Sequence, residues 1–232
     1  MASLQGARFQ PASDRSLLVS FGEQITPECH ERVTKLLRIL ELESIPGVRN
    51  FNPAYSSLLI TFDALKLTHT ELEAALRRHL ERTEELRLPE PRKVEVPVCY
   101  GGEYGPDLHD VAALRGVTAD RVVELHSSTE YVVYFLGFVP GFAYLGELAD
   151  GLVTPRLATP RRSVAPGSVG IAGRQTGVYP LATPGGWRLI GRTPLAMFRP
   201  DSGSQLAIAD RVRFVPISSE EFAALEKEQA KA

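Results

Sequence analysis

The stretch FLGFVPGFAYL (135–145), continued by TPRLATPRRSVAPGSVGIAGRQTGVYP (154–180) and TPGGWRLIGRTP (183–194), decides how this 232-residue chain is read. Eleven of the chain's 19 glycines and six of its 17 prolines lie between Gly137 and Gly191. A helix interior does not tolerate that density, since Gly costs about 1 kcal/mol and Pro about 3 kcal/mol relative to Ala. Short β-rich pieces survive between the breakers: Tyr131–Leu136, Val169–Ala172, Trp187–Ile190, Gln205–Ile208 and Val212–Val215. They predict a β-barrel or sandwich with long Gly/Pro loops, followed by a capped terminal helix over Ser218–Lys231.

Upstream the grammar is different. SLLVSF (16–21) reads as a strand. Thr26-Pro27-Glu28 supplies an N-cap, a proline at the first helical position and an acid in the first turn. Cys29, Val33, Leu36, Leu37 and Leu40 follow at helical spacing, and the helix must end before Ile45-Pro46-Gly47. Val48–Asn52 and Ser57–Phe62 are two more strands. Thr68-x-x-Glu71 is a capping box, and Leu72, Ala75, Leu76 and Leu80 give the buried face of a second helix. The β-α-β-β-α order predicts a small two-layer α+β domain over residues 1–90. Pro89-Glu90-Pro91 marks the boundary with a second domain over 91–232. His69 and His79 lie ten positions apart, off the i, i+4 spacing of a metal pair, and read as surface or cap residues.

Early in the second domain, ahead of the Gly/Pro block, lies a short helix from Asp107 to Arg115 closed by Gly116, then another capped by Thr118 and running to about His126. The pair imitates a helix-turn-helix. Its second helix offers Asp120, Arg121 and Glu124, too little positive charge for phosphates, so packing on a sheet edge is the better reading. The net charge of −2 also lacks the basic excess of a nucleic-acid binder. Cys29 and Cys99 form neither a CxxC pair nor a zinc spacing and read as buried thiols. No apolar run approaches the ~20 residues of a membrane span, and MASLQGARFQ lacks a secretory pattern. The expected compartment is the cytoplasm.

Chemistry therefore falls to the Gly/Pro block. From Glu130 to Pro200 there are seven Arg, no Lys and three acids. Guanidinium forks bind carboxylate or phosphate, and Arg161, Arg162, Arg174, Arg188 and Arg192 are candidates; the plainer role is as partners of backbone carbonyls. Phe138, Phe142, Tyr144, Tyr179 and Trp187 are candidates to wall a flat pocket. Gly167-x-x-Gly170-x-x-Gly173, with Gly186, allows backbone N–H groups to approach a ligand, yet it matches neither a dinucleotide motif nor a Walker loop. Pro166-Gly167-Ser168-Val169-Gly170 falls one glycine short of G-x-S-x-G, and with no nearby His or acid Ser168 makes a poor nucleophile. His126 reads as structural.

This block closely resembles the carboxyltransferase subunit 1 family, also called the allophanate hydrolase subunit 1 family. YGPDL (104–108) and Ala209-Asp210-Arg211-Val212-Arg213-Phe214 fit the same resemblance, which covers nearly the whole chain. The family includes the B component of 5-oxoprolinase and Kip-type inhibitors of a histidine kinase. The resemblance implies an α+β N-terminal domain followed by an all-β, cyclophilin-like barrel domain. It implies one component of an ATP-dependent 5-oxoprolinase that opens 5-oxoproline to glutamate beside partners of the C type (a subunit 2 homologue) and the A type. Alternatives are a Kip-type kinase inhibitor or a member of a carboxyltransferase or amidase complex. A lactam is a poor electrophile, and phosphorylating its oxygen makes ring opening by water feasible. Such an intermediate needs donors aimed at developing negative charge. Arg174, Gln175 and Thr176 are the expected catalytic residues. Phe138, Phe142, Tyr144, Arg161, Gly167, Ser168, Gly170, Gly173, Tyr179, Gly186, Trp187 and Arg192 are expected to bind substrate or nucleotide. Mg-bound ATP is expected to be held with or by partner subunits. No metal cluster is expected in this chain, it carries no Met-Lys-Met biotin attachment sequence, and it is expected to do little alone.

Overall fold

A computed structural model describes residues 6–229. The chain divides into two compact units, one up to Glu90 and one from Pro91.

The first unit runs β1 (Arg8–Ser13), β2 (Ser16–Ser20), α1 (Pro27–Leu42), β3 (Val48–Pro53), β4 (Ser57–Phe62) and α2 (His69–Arg82). Its strands form one antiparallel sheet in the order β1-β2-β4-β3. Leu17 and Val19 of β2 and Leu58, Ile60 and Phe62 of β4 alternate onto one face and are buried with Val33, Leu36 and Leu40 of α1 and Leu72 and Leu76 of α2. Both helix starts behave as their sequences dictate. Thr26 Oγ1 accepts the Cys29 N–H at 3.2 Å. Thr68 and Glu71 exchange both bonds of a capping box, Glu71 Oε2 accepting the Thr68 N–H at 2.8 Å. Strand β1 is the addition to the expected order. Five of its six residues are exposed and it contains Pro11, so no apolar alternation announces it; an edge strand tolerates both features.

The second unit contains β5 (Lys93–Tyr100), α3 (Leu108–Arg115), α4 (Ala119–Ser127), β6 (Glu130–Leu136), β7 (Ala143–Gly146), β8 (Arg161–Val164), β9 (Ser168–Ala172), β10 (Gln175–Val178), β11 (Thr183–Gly185), β12 (Arg188–Arg192), β13 (Phe198–Arg199), β14 (Gly203–Ser204), β15 (Arg211–Pro216) and α5 (Ser219–Gln229). Seven strands close a barrel in the order β10-β7-β6-β15-β5-β12-β9. Closure depends on the parallel pairing of β5, the first strand of the unit, with β15, its last. Asp210 secures that seam. It is 3% exposed, takes the Arg92 guanidinium in a two-pronged ion pair and accepts the Ala207 N–H at 2.7 Å. Val96, Val98, Tyr131, Val133, Leu145, Val169, Ile171, Val178, Val212 and Phe214 fill the interior.

Among the described residues the unit is a closed barrel dressed by the expected helix pair and terminal helix, so the all-β description holds for the barrel and not for the whole unit. Val111 of α3 and Val122 of α4 are fully buried in the barrel's own hydrophobic core, so the helix pair is packing and not a groove reader. Gln205–Ile208, expected as a strand, is a loop. Asp210 captures the Ala207 N–H and Ala209 takes φ +71°, which turns the chain before β15, while Leu206 still reaches the core. The last residues of the expected terminal helix, 230 and 231, lie outside the described residues. No helix among the described residues is long and apolar enough to cross a membrane.

Candidate functional site

The aromatic residues of the Gly/Pro block do converge, on the outside of the barrel wall. Phe142, Tyr179 and Trp187 are 2%, 2% and 5% exposed and form a second core with Val164, Ala172 and Leu189. Phe142 meets Tyr179 and Trp187 edge-on, with ring centres 5.3 and 5.4 Å apart. The β8–β11 ribbon contributes Val164 to this cluster. Tyr144 is half-buried at its margin, 4.9 Å from Phe142. Phe138, at the tip of the β6–β7 loop, is 59% exposed at φ +68°, a backbone region that an aromatic residue rarely adopts.

Glycine serves this packing. A Cβ on Gly177 would stand 2.8 Å from the Ala143 carbonyl and 3.3 Å from the Trp187 ring; one on Gly185 would stand 2.5 Å from the Tyr179 hydroxyl. The same wall occupies the amides expected to cradle an anion. Gly167 N–H bonds Tyr179 O at 2.7 Å, Ser168 N–H bonds Ala165 O at 3.2 Å, and Gly173 N–H bonds Thr154 O at 2.7 Å. Gly170 lies in β9 between Gly177 and Leu189. Gly167–Gly173 is therefore barrel wall and its turns, with its backbone donors engaged. Ser168 is buried, and the Gly186 carbonyl accepts the Leu157 N–H at 2.8 Å.

The arginines divide by partner. Arg188 donates to Pro155 O at 3.1 Å and Arg192 to Pro166 O at 3.0 Å, the plain role of tying loops to carbonyls. Arg174, at the β9–β10 turn, fills its fork with Glu147 at 2.9 Å and Asp150 at 2.8 Å. Arg161 donates through Nη2 to the buried Asp107 at 2.7 Å, whose other oxygen accepts the Leu189 N–H at 2.7 Å. Its Nη1 is buried without an acceptor. Arg156 was not singled out by sequence reasoning. It is exposed, and its charge acts on the phenols of both Tyr144 and Tyr179, with Arg161 acting on Tyr179 as well. Burial pushes both phenols above their usual range, and these cations oppose the push. The signal available in sequence was the repeated Thr-Pro-Arg at 154–156 and 159–161.

The expected catalytic trio does not gather at one place. Side chains alternate across β10, so Thr176 enters the barrel and Gln175 does not. Thr176 is fully buried, donates to Gly170 O at 3.1 Å and meets His126 Nε2 at 2.8 Å. Because the hydroxyl proton goes to Gly170, Nε2 is the donor in that contact, and His126 Nδ1 accepts from Tyr100 OH at 2.7 Å. His126 stacks on Phe214 at 4.5 Å, and burial drives its pKa down to about 3. The ring is neutral and structural. Surface grooves of about 270 Å³ (Glu95, Glu124, Arg213) and about 540 Å³ (Arg15, Arg49, Asp63) include none of the expected site residues.

Known proteins are similar to this chain in sequence and in fold. The chain is 40% identical to the B component of 5-oxoprolinase from Bacillus subtilis over 95% of this chain and 97% of the relative. It is 46% identical to the same component from Escherichia coli O157:H7 over 92% of this chain and 97% of the relative. The solved structure of TTHA0988 superposes with a TM-score of 0.78 at 36% identity, covering 88% of this chain; this chain spans 40% of that longer one. Residues 7–208 match the model of the carboxyltransferase domain, subdomain C and D, and the chain belongs to that family.

Proposed function

We propose that this chain is the B-type component of an ATP-dependent 5-oxoprolinase that opens 5-oxoproline to glutamate with partners of the A and C types. The carrying observation is identity of 40% and 46% along nearly the full length of two proteins named as the B component of 5-oxoprolinase. The occurrence of the same segment inside a longer chain fits a domain that works beside others.

In this reading the chain's contribution is binding and orientation. Tyr144 and Phe138 offer a flat margin over a rigid aromatic base, and Arg156 and Arg161 place positive charge beside it. ATP is held with or by the partner subunits. This is supported by the engaged amides of Gly167, Ser168 and Gly173, since phosphate cradles need free backbone donors.

The test is glutamate release from 5-oxoproline and ATP, with the purified chain alone and then with A-type and C-type partners. Turnover only in the full mixture, lost when this chain is omitted, is the expected result. An assembled complex without turnover would overturn the proposal, and histidine-kinase binding would be measured next.

A further inference from the structure

The Arg156–Arg161 rim has features that a structural role leaves unexplained. Arg161 is anchored at one end only. Nη2 is held by Asp107, and Nη1 is buried with no acceptor. A buried cationic donor without a partner is costly. The Asp107 carboxylate is already shared between Arg161 and the Leu189 N–H. Arg156 makes no side-chain hydrogen bond or ion pair among the described residues. Its loop is nonetheless pinned on both sides, by Arg188 Nε to Pro155 O at 3.1 Å and by Leu157 N–H to Gly186 O at 2.8 Å. These two bonds seat the loop against Gly186 and Arg188, and the Trp187 ring between them meets Tyr144 at 5.9 Å; a fixed loop thus presents an uncompensated guanidinium at this aromatic face, and its charge acts on the Tyr144 and Tyr179 phenols. Arg174, Arg188 and Arg192, by contrast, all have partners.

We infer that Arg156 receives the carboxylate of a small cyclic substrate that lies against Tyr144. Resting on the oxoprolinase reading, this assigns to the face the carboxylate of 5-oxoproline and leaves the lactam end free for the chemistry. Arg156 is then a specificity residue. It recognises the group that distinguishes 5-oxoproline from 2-pyrrolidinone, the same lactam ring without a carboxylate.

The test uses the reconstituted complex and two readouts. The first is binding without ATP, by saturation-transfer NMR titration with 5-oxoproline and with 2-pyrrolidinone. The second is glutamate release. A charge-assisted contact predicts that Arg156→Ala weakens 5-oxoproline binding and raises its KM by about tenfold or more. The variant leaves kcat and 2-pyrrolidinone binding nearly unchanged, and Arg156→Lys recovers part of the loss. Arg121→Ala, on the exposed side of α4, is the control. Arg161→Ala would also strand Asp107, so the test falls on Arg156. An active complex whose 5-oxoproline affinity and KM survive Arg156→Ala overturns this inference and leaves the oxoprolinase reading standing. Arg156-dependent binding without turnover does the reverse. A complex that neither binds nor turns over 5-oxoproline overturns both.

Discussion

The acid stability of the barrel hinges on His126, and His126→Gln tests that directly. An unfolded histidine titrates near 6.5, whereas burial pushes the folded ring down to about 3. Between those values the unfolded chain binds a proton that the barrel excludes. Stability from this group is whole above pH 6.5, declines as pH falls, and is lost by about pH 3. The slope is about 1.4 kcal/mol per pH unit, or ~2 kcal/mol between pH 7 and pH 5. That is a substantial share of the 5–15 kcal/mol typical of a folded domain. Glutamine keeps a donor and an acceptor near Thr176 and Tyr100 but cannot titrate in this range. Trp187, the chain's one tryptophan, is buried in the same unit, so its fluorescence in urea reports unfolding there. The variant should be the less stable at pH 7, with the gap closing by about 2 kcal/mol at pH 5. Glu43, Asp63 and Glu71, whose hydrogen-bonding partners hold them below the usual carboxylate range, are common to both proteins and cancel. Parallel pH profiles would refute the picture of a neutral, enclosed His126.

Two further substitutions probe the aromatic wall and its surroundings. Gly177→Ala forces a methyl towards the Ala143 carbonyl and the Phe142 and Trp187 rings and should cost about 1–3 kcal/mol; an unchanged urea midpoint would show that the cluster has slack. Arg174→Ala breaks two exposed ion pairs, and should cost under about 1 kcal/mol. It should leave glutamate release by the reconstituted complex within about twofold, and a fall of about tenfold or more would return Arg174 to the catalytic machinery.

Local rules carried much of the architecture. The caps at Thr26 and Thr68 and the buried stripes of α1 and α2 follow from side chains acting within a few residues of themselves. So does the density of breakers that excludes α-helices between Gly137 and Gly191. Strand β1 escaped because an exposed edge strand needs no apolar alternation. The loop at 205–208 escaped because its turn is set by Asp210, whose carboxylate is also tied to Arg92, 118 positions away. The candidate site was legible only as a composition: aromatics, arginines and glycines in one block. Which of them meet was decided by the barrel. Pairing around β9 and β10 engaged the Gly167 amide with Tyr179, the bridge to Thr154 took that of Gly173, and the same strands turned Thr176 inward onto His126 and placed Arg174 between two carboxylates. Pairing of β8 with β11 laid a ribbon against the aromatic cluster. A linear sequence records which groups are capable of binding an anion. Only the folded chain shows which already have partners, because a hydrogen-bond donor or a charge is satisfied by neighbours in space, and those neighbours lie tens of residues apart along the chain.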